Sequence, residues 1–362
     1  MAVQIYKEGA AEFRLPQSAH VFYNPRARLG RDLGVLAMRA EAERLERPLE
    51  VLELMAGAGL RTKRYLLEAP VGTMVVNDAN YTSFEVLRSH VYNALAQRLL
   101  CRFYLEDRRF DWVDLDPFGT PAPYVPYLTG IVRWEGLLYI TATDAPVLCG
   151  AQRGEALKSY DAVSAYGREC HEIGLRILIG FVQRRLIQAN THGVPLLSYF
   201  DGYCWRTLMR VFKGTRGFNV EHLGFIAQMP DGEYRATMAG VPAPVNLQYQ
   251  PSTTVRWAGP LWLGALHDHA FLSAMSRAAR EDYFADARRF LSKLNRELDE
   301  LPIVYSLPVI ADRLNRSVPS TRAAIKFLRE RGYRASPVHH CGSAVRTDAP
   351  LKVLLGLWEA KE

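Results

Sequence analysis

The run Leu49-Glu50-Val51-Leu52-Glu53-Leu54-Met55-Ala56-Gly57-Ala58-Gly59-Leu60-Arg61 joins an apolar segment to a turn with glycine at alternate positions. The apolar part is too short for a helix and reads as a buried strand. Gly57 and Gly59 let the chain turn sharply and let a ligand approach the backbone. The segment that follows, RTKRYLLEA, reads as a helix. Upstream, residues 33–47 have helical spacing and strong helix formers. Downstream, VGTMVVND (71–78) reads as a second strand and YTSFEVLRSHVYNALAQRL (81–99) as a helix. RFYLED (102–107), FDWVDLDPFG (110–119) and GLLYITATD (136–144) read as three more strands. Strands alternating with helices indicate an α/β fold with a mostly parallel, Rossmann-like sheet. Ligands of such sheets bind at the carboxyl ends of the strands.

The 362 residues suggest about two domains at roughly 150 residues each. Residues 1–195 hold the α/β pattern. A helical stretch (159–190) closes it, and from 196 the chain changes character. Residues 240–264 read as an irregular Pro/Gly-rich connection and 270–299 as one long helix. The second domain, 196–362, reads as α+β. Its end, 303–350, has the order helix, turn, helix, β-hairpin of a winged helix. Ser320 suits the N-cap of the second helix and Gly332 its C′ position.

With 49% apolar and 23% charged residues the composition is that of a globular chain. No run approaches about 18 apolar residues, so no membrane span is expected. The first residues lack a secretory pattern, and a cytoplasmic protein is expected. The five cysteines have no metal or disulfide spacing, so no metal is expected. The net charge of +7 is uneven. Residues 313–346 carry Arg313, Arg316, Arg322, Lys326, Arg329, Arg331, Arg334 and Arg346 against Glu330 alone. Such a cluster suits either a solvated face or a polyanionic partner, nucleic acid first.

Three acids follow the strand ends. The G-x-G turn has Thr62 where a third glycine would complete a dinucleotide fingerprint, and no phosphate-binding lysine follows. Asp78, 19 residues after Gly59, can accept both hydroxyls of a ribose. Asp107 could accept from an adenine amino group. An adenosine whose substituent is not a phosphate describes S-adenosyl-L-methionine. Asp114-Leu115-Asp116-Pro117-Phe118-Gly119 is the most specific segment. The exocyclic amine of a base is a poor nucleophile, because its lone pair is delocalised. Acceptors fixed around Pro117 can hold its N–H bonds, Asp116 can give acid–base help, and Phe118 can stack on the base.

The chain resembles the tRNA (guanine-26) N2-dimethyltransferase family. The match runs along nearly the whole sequence. It includes Val21-Phe22-Tyr23-Asn24-Pro25, Arg31-Asp32-Leu33, Asn77-Asp78, the Asp-Leu-Asp-Pro-Phe-Gly segment, Thr141-Ala142-Thr143-Asp144, Leu148-Cys149-Gly150 and Gly259-Pro260-Leu261-Trp262. The resemblance implies a class I methyltransferase domain followed by a tRNA-binding domain. It implies transfer of one or two methyl groups to guanosine N2 at position 26, with position 27 open. Arg31 and Arg61 would meet the methyl donor; Glu53, Gly57, Gly59 and Asp78 would line its site, with Asp107 and Arg108 by the adenine. Asp116 and Pro117 would serve catalysis, and Phe22 and Phe118 would sandwich the flipped guanine. Arg313, Arg316, Arg322, Lys326, Arg329 and Arg334 would grip tRNA. On the residues alone, Arg31 serves equally as a partner for Asp32 or Glu53. Gly30 stands where the family commonly has Asn, and Ser336–His340 departs from the usual wing. A monomer without an obligate protein partner is expected. The competing readings are an adenine N6-methyltransferase and a silent nucleic-acid-binding protein on the same fold.

Overall fold

A computed structural model describes residues 3–16, 23–80, 89–229, 231–238 and 255–359. The chain opens with the hairpin β1 (Val3–Glu8) and β2 (Ala11–Pro16), then α1 (Arg28–Leu45), β3 (Leu49–Glu53), α2 (Leu60–Glu68), β4 (Val71–Asn77) and β5 (Ser89–Tyr92). It continues with α3 (Ala96–Leu105), β6 (Phe110–Leu115), α4 (Val125–Leu128), β7 (Val132–Ala142), α5 (Ala145–Leu148), α6 (Arg153–Tyr160) and α7 (Cys170–Gln188). Next come β8 (Thr191–Phe200), β9 (Trp205–Lys213), β10 (Leu223–Gln228), β11 (Tyr234–Met238), β12 (Arg256–Trp262), α8 (His269–Ala278) and α9 (Ala285–Leu294). The last elements are β13 (Val304–Ser306), α10 (Leu307–Arg313), α11 (Thr321–Arg329), β14 (Ala335–Val338), β15 (Cys341–Thr347) and α12 (Leu351–Glu359).

The central sheet has seven strands in the order β5-β4-β3-β6-β7-β9-β8. The first five are parallel, and β9 runs antiparallel to both β7 and β8. The order reverses between β3 and β6, which is where a doubly wound sheet opens a crevice. Helices cover both faces, so the inner strands are apolar on both sides, as in β6 with Phe110, Trp112, Val113 and Leu115 all buried.

Four expectations are corrected. The boundary at 195 falls inside β8, and the sheet continues to Lys213. The antiparallel pair β8–β9 extends the sheet without a crossover helix, so the loss of alternation did not mark a domain end. The helix expected over 81–99 and the strand over 102–107 are out of register. Ser89–Tyr92 is the strand and Ala96–Leu105 the helix, which buries Ala96, Leu99, Leu100 and Phe103 at helical spacing; residues 81–88 lie outside those described. The long helix over 270–299 is two helices, α8 and α9. The stretch 159–190 is helical as α7, from Cys170 to Gln188.

The terminal module has the expected winged-helix order, with the sheet β13-β15-β14. Ser320 Oγ accepts from the Ala323 N–H at 3.2 Å. Gly332 sits at φ 83°, with the Tyr333 N–H bonded to Leu328 O at 3.1 Å, a Schellman C-terminus.

Candidate active site

The carboxyl ends of β3, β4 and β6 open onto a cleft of about 410 Å³. Glu53, Gly57, Arg61, Asp78, Asp116, Pro117, Phe118 and Arg31 line it, together with Tyr23, Asn24, Tyr124, Thr143, Tyr203 and Arg206. Gly57 and Gly59 have φ of 53° and 70°, which favours glycine at both positions. Gly59 shapes the turn from below, where it begins α2. Asp78 stands across from the turn. Its Oδ2 accepts from the Gly57 N–H and its Oδ1 from the Asn80 N–H, each at 2.8 Å. Each carboxylate oxygen keeps a lone pair, so the group can still accept ribose hydroxyls.

Asp116 follows β6 and is 23% exposed at its side chain. Arg61 Nη2 and Arg206 Nη2, the latter at 3.2 Å, both donate to its Oδ2. Burial alone raises this carboxyl; the charges of Arg206 and Arg61 outweigh it and hold Asp116 below the ordinary range. Its neighbours behave differently. Glu53 is buried beside the charge of Asp114 and is pushed up to about 8 despite Arg61. Burial also raises Asp114, which accepts from Tyr65 Oη at 2.6 Å and Arg61 Nη1 at 3.2 Å. Asp116 is therefore held in its ionised form by two arginines, beside two buried carboxyls, Glu53 and Asp114, whose ionisation burial disfavours.

The loop after Asp116 is tied to the Thr-Ala-Thr-Asp segment after β7. The Gly119 N–H donates to Thr143 Oγ1 at 2.8 Å, and the Thr143 N–H donates to Gly119 O at 2.9 Å. This clamp sets Pro117 and leaves Phe118 77% exposed at the mouth. A rigid acceptor beside an exposed ring suits a planar base. A Gly turn with a ribose acid suits an adenosine-containing donor.

A family model described as N2,N2-dimethylguanosine tRNA methyltransferase matches residues 2–359. The chain belongs to that family. A tRNA (guanine(26)-N(2))-dimethyltransferase of Thermococcus kodakarensis is 31% identical over 388 residues, covering 98% of both chains. One of Methanoculleus marisnigri is 34% identical over 350 residues, covering 94% of this chain and 91% of that one. The solved structure of Trm1 from Pyrococcus horikoshii with S-adenosyl-L-methionine superposes with a TM-score of 0.83 at 27% identity, covering 98% of this chain and 99% of that one. The fold is thus the class I methyltransferase fold, and the protein is an S-adenosylmethionine-dependent methyltransferase of the N2,N2-dimethylguanosine family. Its donor site fits: the Gly57 turn, Asp78 and Glu53 meet in one cleft.

Several expected residues lie elsewhere. Asp107 follows α3 in a left-handed turn and pairs with Arg109 at 3.0 Å, outside the cleft. Arg108 packs its guanidinium over Phe103 and Phe110 and bonds Tyr92 Oη at 3.3 Å. Neither lines the cleft, because the chain before Asp107 is a helix and not a strand. The equivalent strand end is Tyr92, after which Ala94, Leu95 and Ala96 line the cleft. Arg31 lines the cleft but forks onto Glu8 at 2.7 and 2.6 Å, not onto Asp32 or Glu53. Arg61 is held by Asp114 and Asp116, so its first service is to those acids. Phe22 lies outside the described residues, and its neighbour Tyr23 lines the cleft.

The charge reading also changes. Arg346 is fully buried and pairs with Glu172 at 2.7 and 2.9 Å. Arg334 is matched by Glu300 and Asp348 at 2.8 and 3.1 Å. Arg322, Lys326 and Arg329 share one exposed face of α11. The unusual wing is an internal joint. The Phe200 N–H donates to His339 Nε2 at 3.1 Å, His339 Nδ1 bonds Glu297 at 3.0 Å, and His340 Nε2 meets Glu172 at 3.0 Å. Arg206 and Tyr203 escaped the sequence reading. The one available signal was a charged residue inside an otherwise buried strand.

Proposed function

We propose that this protein transfers one or two methyl groups to N2 of guanosine 26 in tRNA, with Asp116 as the acceptor for the target amine. The observation that carries this reading is the Asp116 carboxyl gripped by Arg61 and Arg206 and fixed beside Pro117 and Phe118 at the end of β6. The names of the relatives supply the position. Bound S-adenosylmethionine supplies an electrophilic methyl group on a sulfonium. The N2 lone pair forms the new bond to the methyl carbon as the carbon–sulfur bond breaks, and its electrons stay on sulfur as a neutral thioether. N2 becomes cationic and gives up one proton. Asp116 accepts the N–H, opposes the growing positive charge and aligns the nitrogen. Its two arginines make it a weak base, which suffices because a methylated guanine amine cation is a strong acid. Phe118 supports the flipped base by stacking. Asp78 and the Gly57 turn hold the adenosine end, and Glu53 faces the amino-acid end. Arg322, Lys326 and Arg329 on α11 bind the tRNA backbone.

The test is methyl transfer to an unmodified tRNA transcript, with digestion and identification of the product nucleosides. N2-methylated guanosine that disappears in a transcript carrying adenosine at position 26 supports the reading. Equal methylation of that transcript, or a methylated adenosine product, overturns it.

A further inference from the structure

Arg206 reaches the site from β9, almost a hundred residues beyond the Asp-Pro-Phe loop. Its Nη1 donates to Thr141 Oγ1 at 2.7 Å and its Nη2 to Asp116 Oδ2 at 3.2 Å. The guanidinium lies 5.5 Å from the centre of the Tyr139 ring. Gly30 stands against the same side chain: a Cβ there would sit 2.7 Å from Arg206 Nε. Tyr139 Oη donates to Gly30 O at 3.0 Å and bonds Tyr199 Oη at 2.7 Å, so this wall is itself fixed. Glycine at position 30 leaves the space the guanidinium occupies.

We propose that Arg206 is a positioning residue for methyl transfer: it anchors Asp116 by Oδ2, so that Oδ1 is presented to the target amine. The proposal rests on the acceptor role of Asp116 and deepens it. Arg61 donates to the same oxygen, so the two arginines hold one side of the carboxylate from two directions. A carboxylate gripped at one oxygen cannot swing about its last torsion, and alignment at the reacting nitrogen is where such a site gains rate. Arg206 also settles the charge balance. Asp116 faces Arg61 from α2, Glu53 from β3, Asp114 from its own strand, Thr141 from β7, and Cys204 and Arg206 from the β8–β9 end. Burial and the two acids favour the protonated form; the arginines oppose them. Without Arg206 the carboxyl takes up a proton at higher pH, and a protonated carboxyl donates where it must accept.

The experiment compares wild type, Arg206→Gln and Arg206→Lys for kcat and tRNA KM from pH 4 to 9, with calorimetric binding of S-adenosylhomocysteine on each. For Arg206→Gln, kcat falls on the order of 100-fold, as for loss of a charge-orienting donor. The acid limb of its kcat profile moves to higher pH, because the Arg206 charge no longer favours the ionised carboxylate. Product affinity and tRNA KM stay within a few-fold. Arg206→Lys keeps the charge without the fork, so it restores the acid limb but only part of the rate. In an Asp116→Asn background, Arg206→Gln costs nothing further. Wild-type kcat and pH profile in Arg206→Gln, with Asp116→Ala inactive, overturn this inference and leave the acceptor role standing. An active Asp116→Ala overturns the acceptor role itself. Should Arg206→Gln fail to bind S-adenosylhomocysteine, Arg206→Lys decides: a wild-type rate there overturns the inference.

Discussion

Glu172 on α7 and Arg346 on β15 form a buried two-point ion pair between the methyltransferase sheet and the winged module. Its N–O distances are 2.7 and 2.9 Å, and both side chains are almost wholly inaccessible. Arg176 and His340 bond the same carboxylate. Burial raises this carboxyl, but Arg346 and Arg176 outweigh it and hold it well below the ordinary range. The module is therefore clasped to the body at a fixed place.

Removing one member of this pair strands the other in a buried site. Glu172→Gln is expected to destabilise the protein by about 3–5 kcal/mol. Thermal unfolding of the full chain measures it. A melting point unchanged from wild type would show that the pair does not hold the module. Deleting residues 303–362 takes Arg346 and His340 from the same carboxylate, leaving Arg176 alone on it, so loss of stability, and with it of both tRNA and donor binding, is expected from that truncation.

Charge removal on α11 tests tRNA binding. Arg322, Lys326 and Arg329 are exposed. Arg329 also donates to Ala335 O at 3.0 and 2.7 Å, so thermal unfolding of its variant is followed beside binding. Each lost phosphate contact lowers the slope of log affinity against log salt by about 0.9 at most. Filter binding over a salt series, with S-adenosylhomocysteine binding as control, measures both. An unchanged salt slope in the triple variant would place the tRNA elsewhere.

If Glu53 faces the donor as proposed, donor binding is expected to be proton-linked. Burial and the charge of Asp114 hold it at about 8, so it is mostly protonated at pH 7 in the free protein. The cationic amino group of the ligand favours the ionised form. Calorimetry of S-adenosylhomocysteine at pH 7, in buffers of differing ionisation enthalpy, is expected to show release of about one proton. Glu53→Gln abolishes it; equal release in that variant would contradict the assignment. The same shift costs the free protein stability as pH rises from 4.5 through about 8. Over that range the unfolded chain ionises Glu53 while the folded one keeps the proton.

Local chemistry was legible in the sequence. The Gly57–Gly59 turn, Asp78 and the Asp116–Phe118 loop each carry their geometry within a few residues of a strand end, and all meet at one cleft. What depended on tertiary partners was not. Nothing near Arg31 in sequence announces Glu8, and nothing near Asp116 announces Arg206. Asp107 does not end a strand: β5 has only four residues, too few for a pattern, and the spacing of Ala96, Leu99, Leu100 and Phe103 belongs to α3, which spans residues read partly as the end of a helix and partly as a strand. Counting charge in residues 313–346 included Arg346, whose charge is cancelled inside the protein. The sequence of the altered wing shows only a departure from the usual pattern; its histidines bond Glu297 and Glu172, partners distant in the chain.

Turnover of Asp116→Ala, measured with its affinity for S-adenosylhomocysteine on the same preparation, tests the central claim most directly. The predicted result is a kcat lower by at least about 100-fold, with ligand affinity within a few-fold of wild type. Near-normal turnover in a variant that binds the ligand normally would contradict it.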